Sequence, residues 1–235
     1  MWNDPLYWLV LGVGALLSFW AAARVKGTAA HFSQVRTRRG LTGADVARVI
    51  LRANGIDGVT VEPVPGQLTD HYDPRSKTLR LSETVYGSDS ITAVGVAAHE
   101  VGHAIQDARG YAPLKFRSAW VPLAGLGSQL GIWVVVLALF MGGVKGAPVM
   151  SLVGLALFAA STVFTLITLP VEFDASRRAL VTLEQGGVLL GDEMPGARKV
   201  LNAAALTYVA AFASSLLMLL YWAMRLGLFG GRNEE

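Results

Sequence analysis

The sequence predicts a mainly α-helical integral membrane protein with four transmembrane helices and a small polar α+β portion. Three observations predict it. Hydrophobic residues make up 53% of the 235-residue chain and charged ones only 16%, against roughly 25% charged in an ordinary soluble domain. Four long stretches carry no charge at all, and 17 of the 20 Lys/Arg fall in two polar segments between them. The absence of cysteine excludes thiolate zinc sites, iron–sulfur clusters and a Cys nucleophile. A formal charge of +3 is too small to argue for nucleic acid as a partner.

The uncharged stretches are 19 residues between Asp4 and Arg24, 27 between Arg117 and Lys145, 26 between Lys145 and Glu172, and 25 between Lys199 and Arg225. A helix crossing hydrocarbon needs about 20 apolar residues, so four spans fit, at about 5–23, 122–143, 147–170 and 203–224. The second is diluted by Pro122, Ser128 and Gln129, and Gln129 reads as a helix–helix hydrogen bond. Trp2, Tyr7, Trp8, Trp120, Tyr221 and Trp222 sit near span ends, as interfacial belts do. The first span is a retained anchor. A cleaved signal would need basic residues before the apolar run, where Asp4 stands, and Arg24 and Lys26 follow it instead.

Orientation follows from the basic residues. Segments 24–118 and 171–202 hold 13 and 4 of them, and the opposite side holds only Lys145, Arg225 and Arg232. Both polar segments are therefore predicted to be cytoplasmic and both termini outside. The chain divides into an anchor (1–23), a cytoplasmic segment (24–118), a transmembrane hairpin (119–170), a second cytoplasmic segment (171–202) and a final span with a short outer tail (203–235).

Residues 24–40 are basic and read as a juxtamembrane linker lying on anionic headgroups. A helix follows from Leu41, with Thr42 as cap, Asp45 three residues later, and Asn54-Gly55 as its stop. Residues 59–64 alternate as a short strand, and 71–82 read as a hairpin turning at Asp73-Pro74. From Ser88 a long helix runs to about Ala108 and ends at Gly110.

That helix contains HEVGH, residues 99–103. Positions i and i+4 share a helix face, so His99 and His103 can aim at one ion. Glu100 is rotated by about 100°, cannot join them as a like ligand, and can instead accept a proton from water beside the ion. Zinc lowers the pKa of a bound water towards about 7, which makes attack on a peptide carbonyl feasible. Composition alone gives roughly 0.002 such motifs in a chain with 4 His and 8 Glu. The alternative is a pair of ordinary histidines on an amphipathic helix.

A catalytic zinc normally has three protein ligands. His31 and His71 do not fall at a third-ligand spacing, since 106–110 reads Gln-Asp-Ala-Arg-Gly. A distant carboxylate is the natural candidate. The third span ends TLPVEFDASRRAL, placing Glu172 and Asp174 on the side that carries HEVGH. Either could simply end a span, with Arg177 and Arg178 as the positive-inside signal.

The stretch from about Leu41 to Arg178 resembles the YugP-type family of bacterial membrane zinc metallopeptidases. The resemblance is carried by GQLTDHYDPRSKTLRLSETVYG (66–87), VGVAAHEVGHAIQDARGYAPLKFR (94–117) and LPVEFDASRRAL (169–180). That family is similar to CAAX prenyl proteases and heat-shock-linked membrane metallopeptidases, which pair HExxH with a later ExxAD. The resemblance implies that His99, His103 and Glu172 bind one zinc ion per chain and that Glu100 is the general base. It also implies a zincin-like cytoplasmic portion carrying the HExxH helix. One departure stands out: Ser176 occupies the place of the Asp that would orient a ligand histidine. That role is open: it passes to Asp174, to Ser176 itself, or is unfilled.

Candidates to stabilise the oxyanion are His71, Tyr72, Tyr111 and Arg177, and the strand at Leu79–Ser82 could pair with an extended substrate. The reading is a zinc-dependent endopeptidase at the cytoplasmic membrane face, with the lipid bilayer and a protein or peptide substrate as partners. Its rivals are a zinc hydrolase of a non-peptide substrate and a non-catalytic membrane adaptor. Manganese and cobalt suit the same donor set.

Overall fold

The computed structural model describes residues 4–228. Trp2, Arg232 and the tail to Glu235, read above as interfacial or outer, lie outside the described residues. The elements in chain order are α1 (Pro5–Phe32), α2 (Gly43–Ala53), β1 (Thr60–Val64), β2 (His71–Asp73), β3 (Thr78–Ser82), α3 (Glu83–Tyr86), α4 (Ile91–Ala108), α5 (Ala112–Phe140), α6 (Gly143–Gly146), α7 (Pro148–Gln185) and α8 (Met194–Arg225). Four of them, α1, α5, α7 and α8, are long and apolar enough to cross a membrane.

All four overrun the predicted spans at the ends next to the polar segments, whereas at its other end α5 stops at Phe140, short of the predicted 143. The spans end where charge begins, but helical hydrogen bonding does not, because Arg and Lys are good helix formers. The linker predicted at 24–40 is therefore corrected: α1 continues to Phe32, and only the residues after it are irregular. Likewise α7, at 38 residues, extends about 57 Å, against a hydrocarbon core of roughly 30 Å. Its last turns carry Glu172 to Gln185 as regular helix, with Pro170 inside it.

The chain forms two compact units, residues 1–20, 116–169 and 208–235 in one, and 21–115 with 170–207 in the other. In the first, Val135, Ala138, Tyr221, Trp222 and Leu226 form the buried centre. Here α5 and α7 pack backbone to backbone. A Cβ at Gly127 would stand 2.1 Å from the Leu157 carbonyl oxygen, and one at Gly131 2.8 Å from Phe158 N. Small residues four apart let membrane helices approach in this way. Large apolar side chains such as Trp133, Phe140 and Val149 point outward, as they do where lipid is the solvent. Asp4 accepts from Tyr221 Oη and pairs with Arg225 Nε at 3.2 Å, tying both helix ends together.

The second unit is built around α4. The apolar face of α2 (Val46, Ala47, Ile50, Leu51), the strand residues Leu79 and Leu81, and Ala179 and Leu183 of α7 enclose Val94, Ala97, Val101 and Ile105. The start of α2 is a capping box. Thr42 Oγ1 accepts from Asp45 N while the Asp45 carboxylate accepts from Thr42 N. At its end Gly55 takes φ +68°, a conformation most side chains resist. Ser90 caps α4, accepting from Ala93 N, and the same end is held by Ile91 N donating to Val35 O and Thr37 N to Asp89 O.

The sheet has order β1-β3-β2. The β2–β3 pair is the predicted antiparallel hairpin, while β1 pairs parallel to β3, from Thr60 opposite Thr78 to Val64 opposite Ser82. This corrects the expectation that Leu79–Ser82 could receive a substrate strand. β3 is the central strand, its two edges are taken by β1 and β2, and Ser82 N donates to Asp70 Oδ1.

Candidate metal centre

HEVGH lies wholly within α4, and one turn of α7 faces it. His99 Nε2 is 3.1 Å and His103 Nε2 3.5 Å from the same oxygen, Glu172 Oε2. One atom from each of the three residues falls within 4.8 Å of the other two. Glu172 and His103 are buried and His99 is partly so.

The close approach depends on Gly102. A Cβ there would stand 2.5 Å from the Ala175 carbonyl oxygen and 3.1 Å from Ala175 Cα. Only the missing side chain lets the α4 and α7 backbones touch, which brings the Glu172 carboxylate within reach of imidazoles on the adjacent α4 face. Glu172 and Asp174, two residues apart on one helix, diverge by about 200°, and only Glu172 joins the group.

The rings are oriented from behind. Gln106 is fully buried one turn beyond His103. Its Nε2 donates to Val171 O at 2.8 Å and Asp174 Oδ2 at 3.0 Å, both of which only accept. Its Oε1 therefore faces His103 Nδ1 at 3.0 Å, so His103 must donate from Nδ1. That leaves the lone pair of Nε2 directed towards Glu172. Asp174 is held in turn by Arg177 and Arg178. His99 Nδ1 meets Ser176 Oγ at 3.1 Å. Ser176 thus contacts His99, and Asp174 reaches His103 through Gln106. Sequence reasoning missed Gln106, although a long amide at i+3 from His103 on the same helix was the signal available.

This arrangement asks for a cation. Two imidazole lone pairs and a carboxylate oxygen converge with no polar hydrogen among them when both Nδ1 atoms carry the protons. Burial pushes the His103 imidazole down, but the Glu172 hydrogen bond and the charges of Glu100 and Glu172 prevail and hold its pKa above the usual value. A metal ion meets the same demand. With bonds of about 2.0–2.2 Å at tetrahedral angles, donor atoms stand roughly 3.3–3.5 Å apart. The separations of 3.1 and 3.5 Å to Glu172 lie close to that distance.

The other sequence candidates have different tasks. Tyr72 Oη donates to Asp107 Oδ2 at 2.7 Å, and Lys77 pairs with the same oxygen, fastening the sheet to the end of α4. Burial and the Asp107 carboxylate push the Tyr72 phenol well above its usual pKa. His71 is exposed and bonded to Thr69 O, Tyr111 lies under the Arg178 guanidinium, and Arg177 is bound to Asp174. None of these contacts directs them at the His99–His103–Glu172 group.

A helix-borne HExxH met by a glutamate from a second helix is a donor set that could hold a metal ion. The chain belongs to the family described as "putative neutral zinc metallopeptidase", which matches residues 7–227. It is 45% identical over 232 residues, 98% of this chain and the whole of the relative, to the "Putative membrane protease YugP" of Bacillus subtilis (strain 168). No solved structure matches it. With four helices among the described residues long and apolar enough to cross a membrane, and a relative named as a putative membrane protease, it is a multi-pass membrane protein.

Proposed function

We propose that the protein is a zinc-dependent endopeptidase working at the cytoplasmic membrane face, zincin-like in its site, with one zinc per chain held by His99, His103 and Glu172. The observation that carries this reading is the convergence of two imidazole nitrogens on one carboxylate oxygen, at 3.1 and 3.5 Å. Zinc bound there supplies a Lewis acid that polarises the scissile carbonyl and makes water acidic enough to attack near neutral pH.

The chain's own groups do the rest. His103 and His99 keep their Nδ1 protons on Gln106 and Ser176, so that each presents Nε2 as a neutral donor. Glu100 follows His99 in the helix, and its charge acts on His103. Its carboxylate takes one proton from the attacking water and delivers it to the amide nitrogen as the C–N bond breaks. The two products are a new carboxylate and a free amine.

Polar segments 24–118 and 171–202 are assigned to the cytoplasm by the basic residues that border the spans. The test is cleavage of casein by the purified full-length protein. Casein should be fragmented, chelator should stop it, and added zinc should restore it. Failure to cleave with zinc fully loaded would set the reading aside.

A further inference from the structure

Away from the metal centre, α1 and α8 border an open cleft of about 640 Å³. The first helix contributes Arg24, Thr28 and His31, and the last contributes Lys199 and Asn202. On each helix these positions recur every three or four residues, so each set is one face. No carboxylate lines the cleft. Among the described residues neither Arg24 nor Lys199 has an acidic partner, whereas Arg38, Arg80, Arg177 and Arg178 are all paired.

The cleft's apolar lining is Ala23, Phe32, Ala203 and Leu206, of which Ala23, Ala203 and Leu206 lie on the uncharged-span side of Arg24 and Lys199. In the sequence Ala23 is the last residue before the charges on α1, and Lys199 is the last charge before 25 uncharged residues on α8. The cleft therefore lies where both helices pass from polar to membrane-crossing sequence. Gly27, which also lines the cleft, is exposed, with nothing within 4 Å of where a Cβ would stand.

We propose that this cleft binds the headgroup of an anionic phospholipid. The Arg24 guanidinium and the Lys199 ammonium take the phosphodiester oxygens, Thr28 and Asn202 supply neutral donors, and the acyl chains leave along Ala203 and Leu206. Basic pockets between helices at the cytoplasmic boundary have this chemistry. A soluble phosphate would use the cations but gain nothing from the apolar wall, and this favours the lipid. The site is independent of peptidase activity.

The test is native mass spectrometry of the full-length protein in neutral detergent, titrated separately with phosphatidylglycerol, phosphatidylcholine and inorganic phosphate. Phosphatidylglycerol should be retained about tenfold or more over phosphatidylcholine, two cations near a membrane surface being enough for that ratio. Arg24→Gln with Lys199→Gln should abolish the preference. So should Gly27→Phe, which sets a bulky ring among the lining residues and keeps every charge. Arg52→Gln with Arg75→Gln, remote from the cleft, should leave it intact. An unchanged preference in both cleft variants would overturn the assignment, as would inorganic phosphate binding as tightly as the lipid.

Discussion

Gln106 sets its side-chain oxygen 3.0 Å from His103 Nδ1 while its nitrogen is committed to Val171 O and Asp174 Oδ2. The amide thus fixes both the tautomer and the tilt of the ring. Replacing it with leucine keeps the volume and removes both ends of the bridge. Gln106→Leu should weaken zinc binding by about 10–100-fold, the usual cost of removing a group that orients a ligand. Ser176→Ala, acting on the less buried His99, should cost less. Competition with a calibrated chelator measures both; equal affinity in Gln106→Leu and wild type would remove the orienting role.

Gly102 faces the backbone of Ala175, not a side chain that could move. Gly102→Ala places a methyl 2.5 Å from a carbonyl oxygen, so α4 and α7 must separate. Overpacking of this kind costs about 1–3 kcal/mol. The expected result is a lower thermal midpoint together with loss of zinc, because the same separation draws His99 and His103 away from Glu172. A variant that melts like wild type and keeps its zinc would show that the contact is not what joins the helices.

Much of this was legible in the sequence, for physical reasons. The Thr42/Asp45 capping box is a local signal with one geometric solution. HEVGH on a helix puts two imidazoles on one face. The parity of four apolar spans places both Glu172 and Asp174 on the side of HEVGH, and helical phase says only that they cannot both face it; the choice of Glu172 came from the family resemblance. Other features were not legible, because they depend on partners remote in the chain. The parallel pairing of β1 with β3 is one. The contact of Gly127 and Gly131 with the α7 backbone is another, since a glycine in an apolar run does not announce its neighbour. The overrun of the helices was missed because charge marks where the membrane ends, not where the helix ends. Gln106 lay in plain view beside the motif, yet only the buried acceptors Val171 O and Asp174 Oδ2 reveal which way its amide points.

Glu100 lies in the motif next to His99, buried, with its charge felt by His103. Glu100→Gln preserves shape and removes the proton acceptor. Casein cleavage should fall to a few per cent or less, about 2 kcal/mol or more of barrier, while elemental analysis still finds one zinc per chain. Substantial residual activity would reassign the base.

The absence of cysteine makes sidedness directly measurable. A single cysteine placed in the 143–147 segment should react with a membrane-impermeant maleimide in intact cells. One placed at Gly55 should react only after permeabilisation. The opposite pattern would put the metal centre on the outer face and overturn the cytoplasmic assignment drawn from the basic residues.

Glu172 and Asp174, two of the three acidic residues of α7, turn to different partners. Glu172 Oε2 is shared by both histidines, whereas the Asp174 carboxylate bridges Gln106 to Arg177 and Arg178. Glu172→Ala removes one of three donors and should abolish both zinc retention and cleavage. Asp174→Ala leaves all three donors in place but frees Gln106, so zinc affinity and activity should fall only partly, within the range expected for Gln106→Leu. Because Asp174 acts through Gln106, the double variant Asp174→Ala/Gln106→Leu should be little worse than Gln106→Leu alone. Zinc affinity across the four variants decides the matter. If affinity survives Glu172→Ala and collapses in Asp174→Ala, the two roles must be exchanged.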